Sequence, residues 1–372
     1  MFERQRRRRI LFTSFLLLAL VAAACGETTG QTTTTAEAAA TTAPADGADT
    51  TAADVEATTT TQAELVDVTI RADWFLSAIH APFFVAMDQG WYAEQGLNVT
   101  YFEGEGSSST AQQVAADTDT FGYATMEATL RTNASGADLV AVANILPRFG
   151  LCVLVPADSD IETPQDMEGR RIASDPFGST TALFPAFIEA GGADYSAIDH
   201  VIIDSGSLID LLITGDADGI TVLTYSEPIK AKDEVEGGVR CIEYNDFGAD
   251  IMGHGIIVRQ AFMEENPELV QGFVEATLRG FEYTFENPEE AIATMRRLAE
   301  DDSPLEEDPI LYDSLEALQE LRDVPELEGQ PFGYIEPEFV EHTASVLTEY
   351  LDFDPSEVDV DAAYTNQFVP QG

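Results

Sequence analysis

From residue 66 onward the chain alternates short apolar runs with stretches whose apolar positions recur at helical spacing. The run 66–72 predicts a strand ending in Asp73-Trp74, and a helix follows over 82–89 with Gly90 as its stop. A second strand is predicted over 97–102. It leads into Gly104-Glu105-Gly106-Ser107-Ser108-Ser109, which opens a helix through Ala111-Gln112-Gln113-Val114-Ala115, and a strand over 120–124 closes a β-α-β-α-β unit. Its loops lie at the carboxyl ends of the strands, the crevice side of an open α/β sheet. Glycine there lets backbone approach a guest closely, and a helix start supplies N–H groups without intrahelical partners.

The pattern then continues. A helix runs from Met126 through Arg131, and the unbroken apolar runs 139–145 and 151–155 read as buried strands. A strand over 171–174 enters Asp175-Pro176-Phe177-Gly178-Ser179-Thr180, from which a helix continues to Ala190, so a second lobe repeats the device of the first. Further strands are predicted over 200–203, 220–223 and 239–244, with a helix over 207–214. The run 253–258 reads as a strand returning to the first lobe. A long helix over 266–285 and helices over 312–321 and 337–350 are expected to pack there, with a loosely held tail after Phe353. The expectation is an α/β protein of two lobes, each a mostly parallel sheet flanked by helices, with a cleft between them. Lobe one would comprise 65–155 and 253–372 and lobe two 156–252, with crossings near Val155 and Asp250. Such lobes close on a ligand by rotation about the crossings.

The first 64 residues follow a different rule. Arg4 and Arg6-Arg7-Arg8-Arg9 precede an apolar run from Ile10 to Ala24 and then Cys25, the arrangement of an export signal over 1–24. Residues 25–64 are mostly Thr, Ala and acids, too poor in bulky side chains to offset chain entropy, so a disordered tether is expected. Cleavage would take five arginines and one glutamate from a net charge of −49, leaving −53. Such a field disfavours nucleic acid and anionic lipid surfaces as partners. Cys152 and Cys241 each sit inside a strand-like run and are expected as separately buried thiols, with pairing outside the cytoplasm the alternative. Four histidines without helical pairing carry no metal signature, and no cofactor is expected.

Candidate ligand-binding residues cluster at the strand ends. Trp74 offers a flat aromatic face, though a strand-end tryptophan is also ordinary packing. Gly106, Ser107, Ser108 and Ser109 open one helix; Phe177, Gly178, Ser179 and Thr180 hold the equivalent place in lobe two. Serine at a helix start is also a plain cap, and capping leaves other N–H groups free. Tyr225 and Glu227 end a lobe-two strand, where Glu227 equally suits the start of a helix. Tyr123 and Asp250 are secondary candidates. Neither Gly/Ser turn contains Arg or Lys, while Glu103, Glu105 and Asp175 lie close by, which disfavours an anionic guest unless Arg131 or Arg148 reaches the cleft.

The stretches Asp73-Trp74, His80-Ala81-Pro82-Phe83-Phe84-Val85-Ala86, Gly90-Trp91-Tyr92 and Gly96-Leu97-Asn98-Val99 resemble the opening of periplasmic solute-binding proteins for thiamine-pyrimidine precursors. Gly106 through Ala115, followed by Phe121-Gly122, is similar to a second hallmark of their superfamily, which also holds nitrate, taurine and alkanesulfonate receptors. The likeness runs from about Val66 to Tyr350. It implies the two-lobed type II periplasmic-binding-protein fold and an importer's solute receptor, a monomer that does no chemistry and serves separate permease and ATPase subunits. His80 matches the family's first-loop histidine, expected to hydrogen-bond a guest's polar edge; a lone histidine is as often structural. In pyrimidine-binding relatives an aromatic and a carboxylate near Tyr225 and Glu227 hold the heterocycle, and a carboxylate can accept two parallel N–H bonds. Val21-Ala22-Ala23-Ala24-Cys25 resembles a lipoprotein box, which would lipidate Cys25 and anchor the protein to the cell membrane, outside the cytoplasm. A loose twin-arginine signal at Arg8-Arg9 is the other reading of this end. The resemblance implies a thiamine-type pyrimidine as ligand, ahead of riboflavin-like rings, organosulfonates and nitrate. Rival functions are a sensor or adhesin built on the same fold, and an enzyme like the fungal pyrimidine synthases, whose cysteine-rich motif has no counterpart here.

Overall fold

The computed structural model describes residues 65–176, 178–299 and 305–371. The expected signal, Cys25, the tether and Phe177 lie outside the described residues. In chain order the first part contains β1 (Val66–Arg71), α1 (Ala81–Asp88), α2 (Trp91–Glu94), β2 (Leu97–Phe102), α3 (Ser107–Ala115), β3 (Phe121–Thr125), α4 (Met126–Ala134) and β4 (Leu139–Asn144). The second comprises β5 (Leu151–Pro156), β6 (Arg171–Ser174), α5 (Ser179–Ala190), β7 (Asp199–Ile202), α6 (Leu208–Thr214), β8 (Gly219–Leu223), α7 (Glu227–Ala231) and β9 (Val239–Glu243). The chain then returns through β10 (His254–Arg259), followed by α8 (Gln260–Glu265), α9 (Pro267–Glu286), α10 (Pro288–Leu298), α11 (Asp308–Arg322) and α12 (Pro337–Tyr350).

Among the described residues two five-stranded sheets result, ordered β2-β1-β3-β10-β4 and β7-β6-β8-β5-β9. In the first, β1 runs parallel to β2 and β3, while β10 is antiparallel to β3 and β4. The second repeats the scheme with β6 parallel to β7 and β8, and β5 antiparallel to β8 and β9. Strands β3 and β4 are buried along their whole length, as their apolar runs predict. Proline in the first turn opens each helix from α9 to α12, where its missing N–H costs no hydrogen bond.

Several expectations change. The run 151–155 is expected at the end of lobe one, but β5 pairs with β8 and β9 of the second sheet, so the chain crosses over 145–150. An apolar strand fits either sheet by composition; its hydrogen-bonding partners decide. Cys152 and Cys241, expected as separate thiols, form a disulfide, because the antiparallel register of β5 and β9 brings their Cα atoms to 5.4 Å. The tail beyond Phe353 is tied down rather than loose. Ala141 N donates to Ala363 O and Thr365 N to Ala141 O, so the tail covers the open edge of β4, and Phe368 and Val369 are buried. Helices α11 and α12 also reach beyond lobe one: α11 packs on α9, α10 and α7, and α12 on α4 and α5.

Candidate functional site

The loop after β2 is clamped onto the end of β1. Gly106 N donates to Asp73 O at 2.7 Å and Gly104 N to Trp74 O at 3.1 Å. A Cβ on Gly104 would lie 2.0 Å from Ala72 O, and Gly106 has φ 117°, a conformation that favours glycine. The close approach these glycines permit is therefore to the chain's own backbone, not first of all to a guest. It sets the start of α3 beside Asp73. No side chain caps α3; Ser107 is buried, Ser109 half-buried and Ser108 exposed.

Asp73 is the centre of this floor. His80 Nε2 meets its Oδ1 at 2.9 Å and His254 Nε2 meets its Oδ2 at 2.9 Å. Ser77 N donates to His80 Nδ1 at 3.1 Å, so the His80 proton sits on Nε2 and is donated to the carboxylate. Burial alone would push the Asp73 carboxyl up. The combined pull of His254 and His80 outweighs it and holds the group well below the usual carboxylate range. No arginine or lysine pairs with Asp73 among the described residues.

Aromatic rings enclose the pair. Tyr123 stacks on His254 at 4.8 Å and 17°, and Phe149 meets its ring edge-on at 4.9 Å. Tyr225, from the loop after β8, is buried in the same apolar cluster as Leu76, Ile79 and Tyr123 of the first lobe. Burial, then the charges of Asp73 and Glu227, push its phenol well above the ordinary value. The hydroxyls of Tyr101 and Tyr123 and Nδ1 of His254 are buried without a hydrogen-bond partner among the described residues. Trp74 lies half-buried at the rim, its ring 5.5 Å from that of the exposed Phe75.

The structure thus gathers Trp74, Gly106, Ser107, Tyr123 and Tyr225 around one carboxylate. His80 belongs to the group as a brace: it is wholly buried and both its nitrogens are engaged by Ser77 and Asp73. In the second lobe, Gly178 N and Thr180 Oγ1 both donate to the Asp175 carboxylate, the latter at 3.0 Å, so Gly178, Ser179 and Thr180 form a turn organised from within the chain. Glu227 opens α7 and accepts from Ser226 Oγ at 3.2 Å, with Lys230 Nζ 3.9 Å away, so the helix-start reading describes it well. Asp250 pairs with Arg148 at 3.2 Å and Arg131 with Glu127 at 2.8 Å, so neither arginine is unpaired. The sequence reading did not single out Asp73, His254 and Tyr101, which the structure places beside the other candidates. A carboxylate immediately after the first strand and a histidine opening an apolar return strand were the available signals. Among the described residues no group of His, Cys, Asp and Glu is arranged to hold a metal ion.

A family model described as "NMT1/THI5 like" matches residues 77–291. The chain is similar to a formylaminopyrimidine-binding protein of Halalkalibacterium halodurans, 24% identical over 287 residues, covering 76% of this chain and 85% of that protein. It is also similar to the riboflavin-binding protein RibY of Chloroflexus aurantiacus, 27% identical over 325 residues, covering 84% and 88%. A 4-amino-5-hydroxymethyl-2-methylpyrimidine phosphate synthase of Legionella pneumophila matches at 25% over 244 residues, covering 60% and 71%. Among solved structures, the periplasmic aliphatic sulphonate binding protein SsuA of Escherichia coli superposes with a TM-score of 0.64 at 16% identity, covering 82% and 94%. This likeness identifies the fold as that of periplasmic binding proteins.

Proposed function

The chain belongs to the NMT1/THI5-like family, and from that premise we propose that it is the extracytoplasmic solute receptor of an ATP-driven importer, capturing a thiamine-type pyrimidine between its lobes. The observation that carries this reading is the buried Asp73 carboxylate, with Trp74, Tyr123 and Tyr225 as the aromatic surfaces nearby. A buried carboxylate whose described partners are two histidines, with no arginine or lysine among them, opposes an anionic guest and favours one rich in N–H donors, such as an aminopyrimidine. The partners in this reading are the importer's permease and ATPase, and acylated Cys25 holds the receptor at the membrane. The two binding-protein relatives cover more of this chain than the synthase does, which supports capture over catalysis.

Thermal unfolding against a panel of pyrimidines, flavins, taurine, alkanesulfonates and nitrate tests the reading. A ligand at a hundred times its dissociation constant adds about 2.7 kcal/mol of stability. The expected result is a shift with formylaminopyrimidine or hydroxymethylpyrimidine that is lost in Trp74→Ala. A response to flavin alone would favour the second reading, suggested by the riboflavin-binding relative. A response to sulfonates or nitrate alone would overturn the choice of ligand. Cys25→Ser abolishing incorporation of labelled fatty acid would test the anchor.

A further inference from the structure

The sequence contains two lysines, Lys230 and Lys232; its other basic residues are arginines. Both stand on or directly beyond the short helix α7, whose Ala231 is buried in the apolar cluster of the second lobe with Leu154, Ile220 and Val222. Each reaches across to the first lobe. Lys230 Nζ lies 2.7 Å from Glu306 and Lys232 Nζ lies 2.6 Å from Asp313, on α11 and the segment leading into it. Those acids sit on a firm base, because Leu311, Leu315 and Leu318 bury α11 in the cluster that contains Ile79 and Phe281. Arg296 of α10 also holds the lead-in, pairing with Asp308 at 2.6 Å and donating to Glu306 O. A few residues before Lys230, Tyr225 enters that same cluster.

We infer that Lys230 and Lys232 are positioning residues for closure, an electrostatic latch by which α7 of the second lobe engages α11 of the first. The inference rests on capture by lobe closure. The choice of residue suits a latch that must release: an ammonium is a strongly hydrated point charge without the planar fork by which arginine grips a carboxylate. An exposed pair of this kind shifts an equilibrium by only about 1.4- to 5-fold, so two of them bias closure without freezing it. In an acid-rich chain the two cations also relieve repulsion across the contact, where Glu227 and Asp233 stand on their own side and Glu306 and Asp313 on the other.

The test is the distance between spin labels on exposed sites of β2 and α6 in the full chain, with and without added solute. Lys230→Glu with Lys232→Glu should lower the closed-to-open ratio about 2- to 25-fold at low salt from the two lost pairs, and further from the repulsion replacing them. The difference from wild type should fade at 1 M salt, where the screening length is about 3 Å. Lys230→Ala with Lys232→Ala gives a milder opening should the reversal misfold. Exchanging one pair, Lys232→Glu with Asp313→Lys, should restore part of the closure. An unchanged distance distribution in both lysine variants at low salt overturns the latch. If a solute closes wild type and the variants with the same midpoint, the latch fails and capture stands. If the variants open but none of the tested pyrimidines, flavins, sulfonates or nitrate closes the protein, the latch stands and the capture reading fails.

Discussion

Asp73 at the end of β1 and His254 at the start of β10 stand 2.9 Å apart, carboxylate oxygen to Nε2. The contact joins the first strand of the lobe to the strand by which the chain re-enters it. His80, just ahead of α1, takes the other carboxylate oxygen. Three separate segments thus converge on one buried charge, beside the tryptophan and the Gly/Ser turn. A floor held in this way is preorganised, and preorganisation lowers the ordering cost of any binding that uses it.

Replacing Asp73 tests that floor. Asp73→Asn keeps the shape but leaves one imidazole N–H facing an amide N–H, and should cost roughly 2–4 kcal/mol in denaturant unfolding near neutral pH. The Asp73 carboxyl is lowered in the folded state, so its contribution is present above the unfolded carboxylate range, about 3.9, and is lost as pH falls below it. The gap between wild type and variant should therefore narrow as the solution is acidified through that range.

The loop clamp makes a different prediction. Gly104→Ala places a methyl group 2.0 Å from Ala72 O, where backbone must move, and should destabilise by about 1–3 kcal/mol or more while loosening the start of α3. Gly90→Ala meets no atom within 4 Å and carries only the cost of its φ of 75°, about 1–2 kcal/mol. Chemical denaturation of both, with hydrogen exchange at Ser107–Ala115, separates the effects: only the first should raise exchange there.

The disulfide should stabilise the second lobe. Cys152 and Cys241 are 89 residues apart, and closing a loop of that length restrains the unfolded chain by up to about 4–5 kcal/mol. Thermal unfolding of Cys152→Ser with Cys241→Ser, compared with wild type with and without reductant, should show a lower midpoint for the variant. Reductant should lower wild type alone.

Arg148 stands on the first crossing and Asp250 on the second, 3.2 Å apart, and Arg148 also reaches Glu326 at 2.6 Å. Burial pushes the Asp250 carboxyl up, and Arg148 opposes the rise. A raised folded-state value means that stability is present below the unfolded range, about 3.9, and declines as pH rises through the folded value. Arg148→Ala removes the opposing charge and should deepen that decline. Unfolding free energies between pH 4 and 7 should fall more steeply in the variant, and the two crossings should become more mobile.

Much of the architecture was legible because it depends on local periodicity. The β-α-β-α-β opening is written in the apolar runs of 66–72, 97–102 and 120–124 and in the glycines between them, and all three strands form. Errors fell where a local pattern fits more than one partner. The run 151–155 is equally apolar in either sheet, and the hydrogen bonds of β5 to β8 and β9 place it in the second. The tail is polar enough to read as loose, yet Asn366 exchanges two hydrogen bonds with Ile335, at 2.7 and 2.8 Å.

Of the candidate site, Trp74, Ser107, Tyr123 and Tyr225 were visible as residue types at strand ends. That Asp73, His80 and His254 would share one buried charge was not visible. Side-chain periodicity reports which face of an element is apolar, and so determined the strands, the helices and the family likeness. Which distant polar atoms meet depends on register and crossing, such as the pairing of His254 with Thr125 across β10 and β3, and only the folded chain decides that.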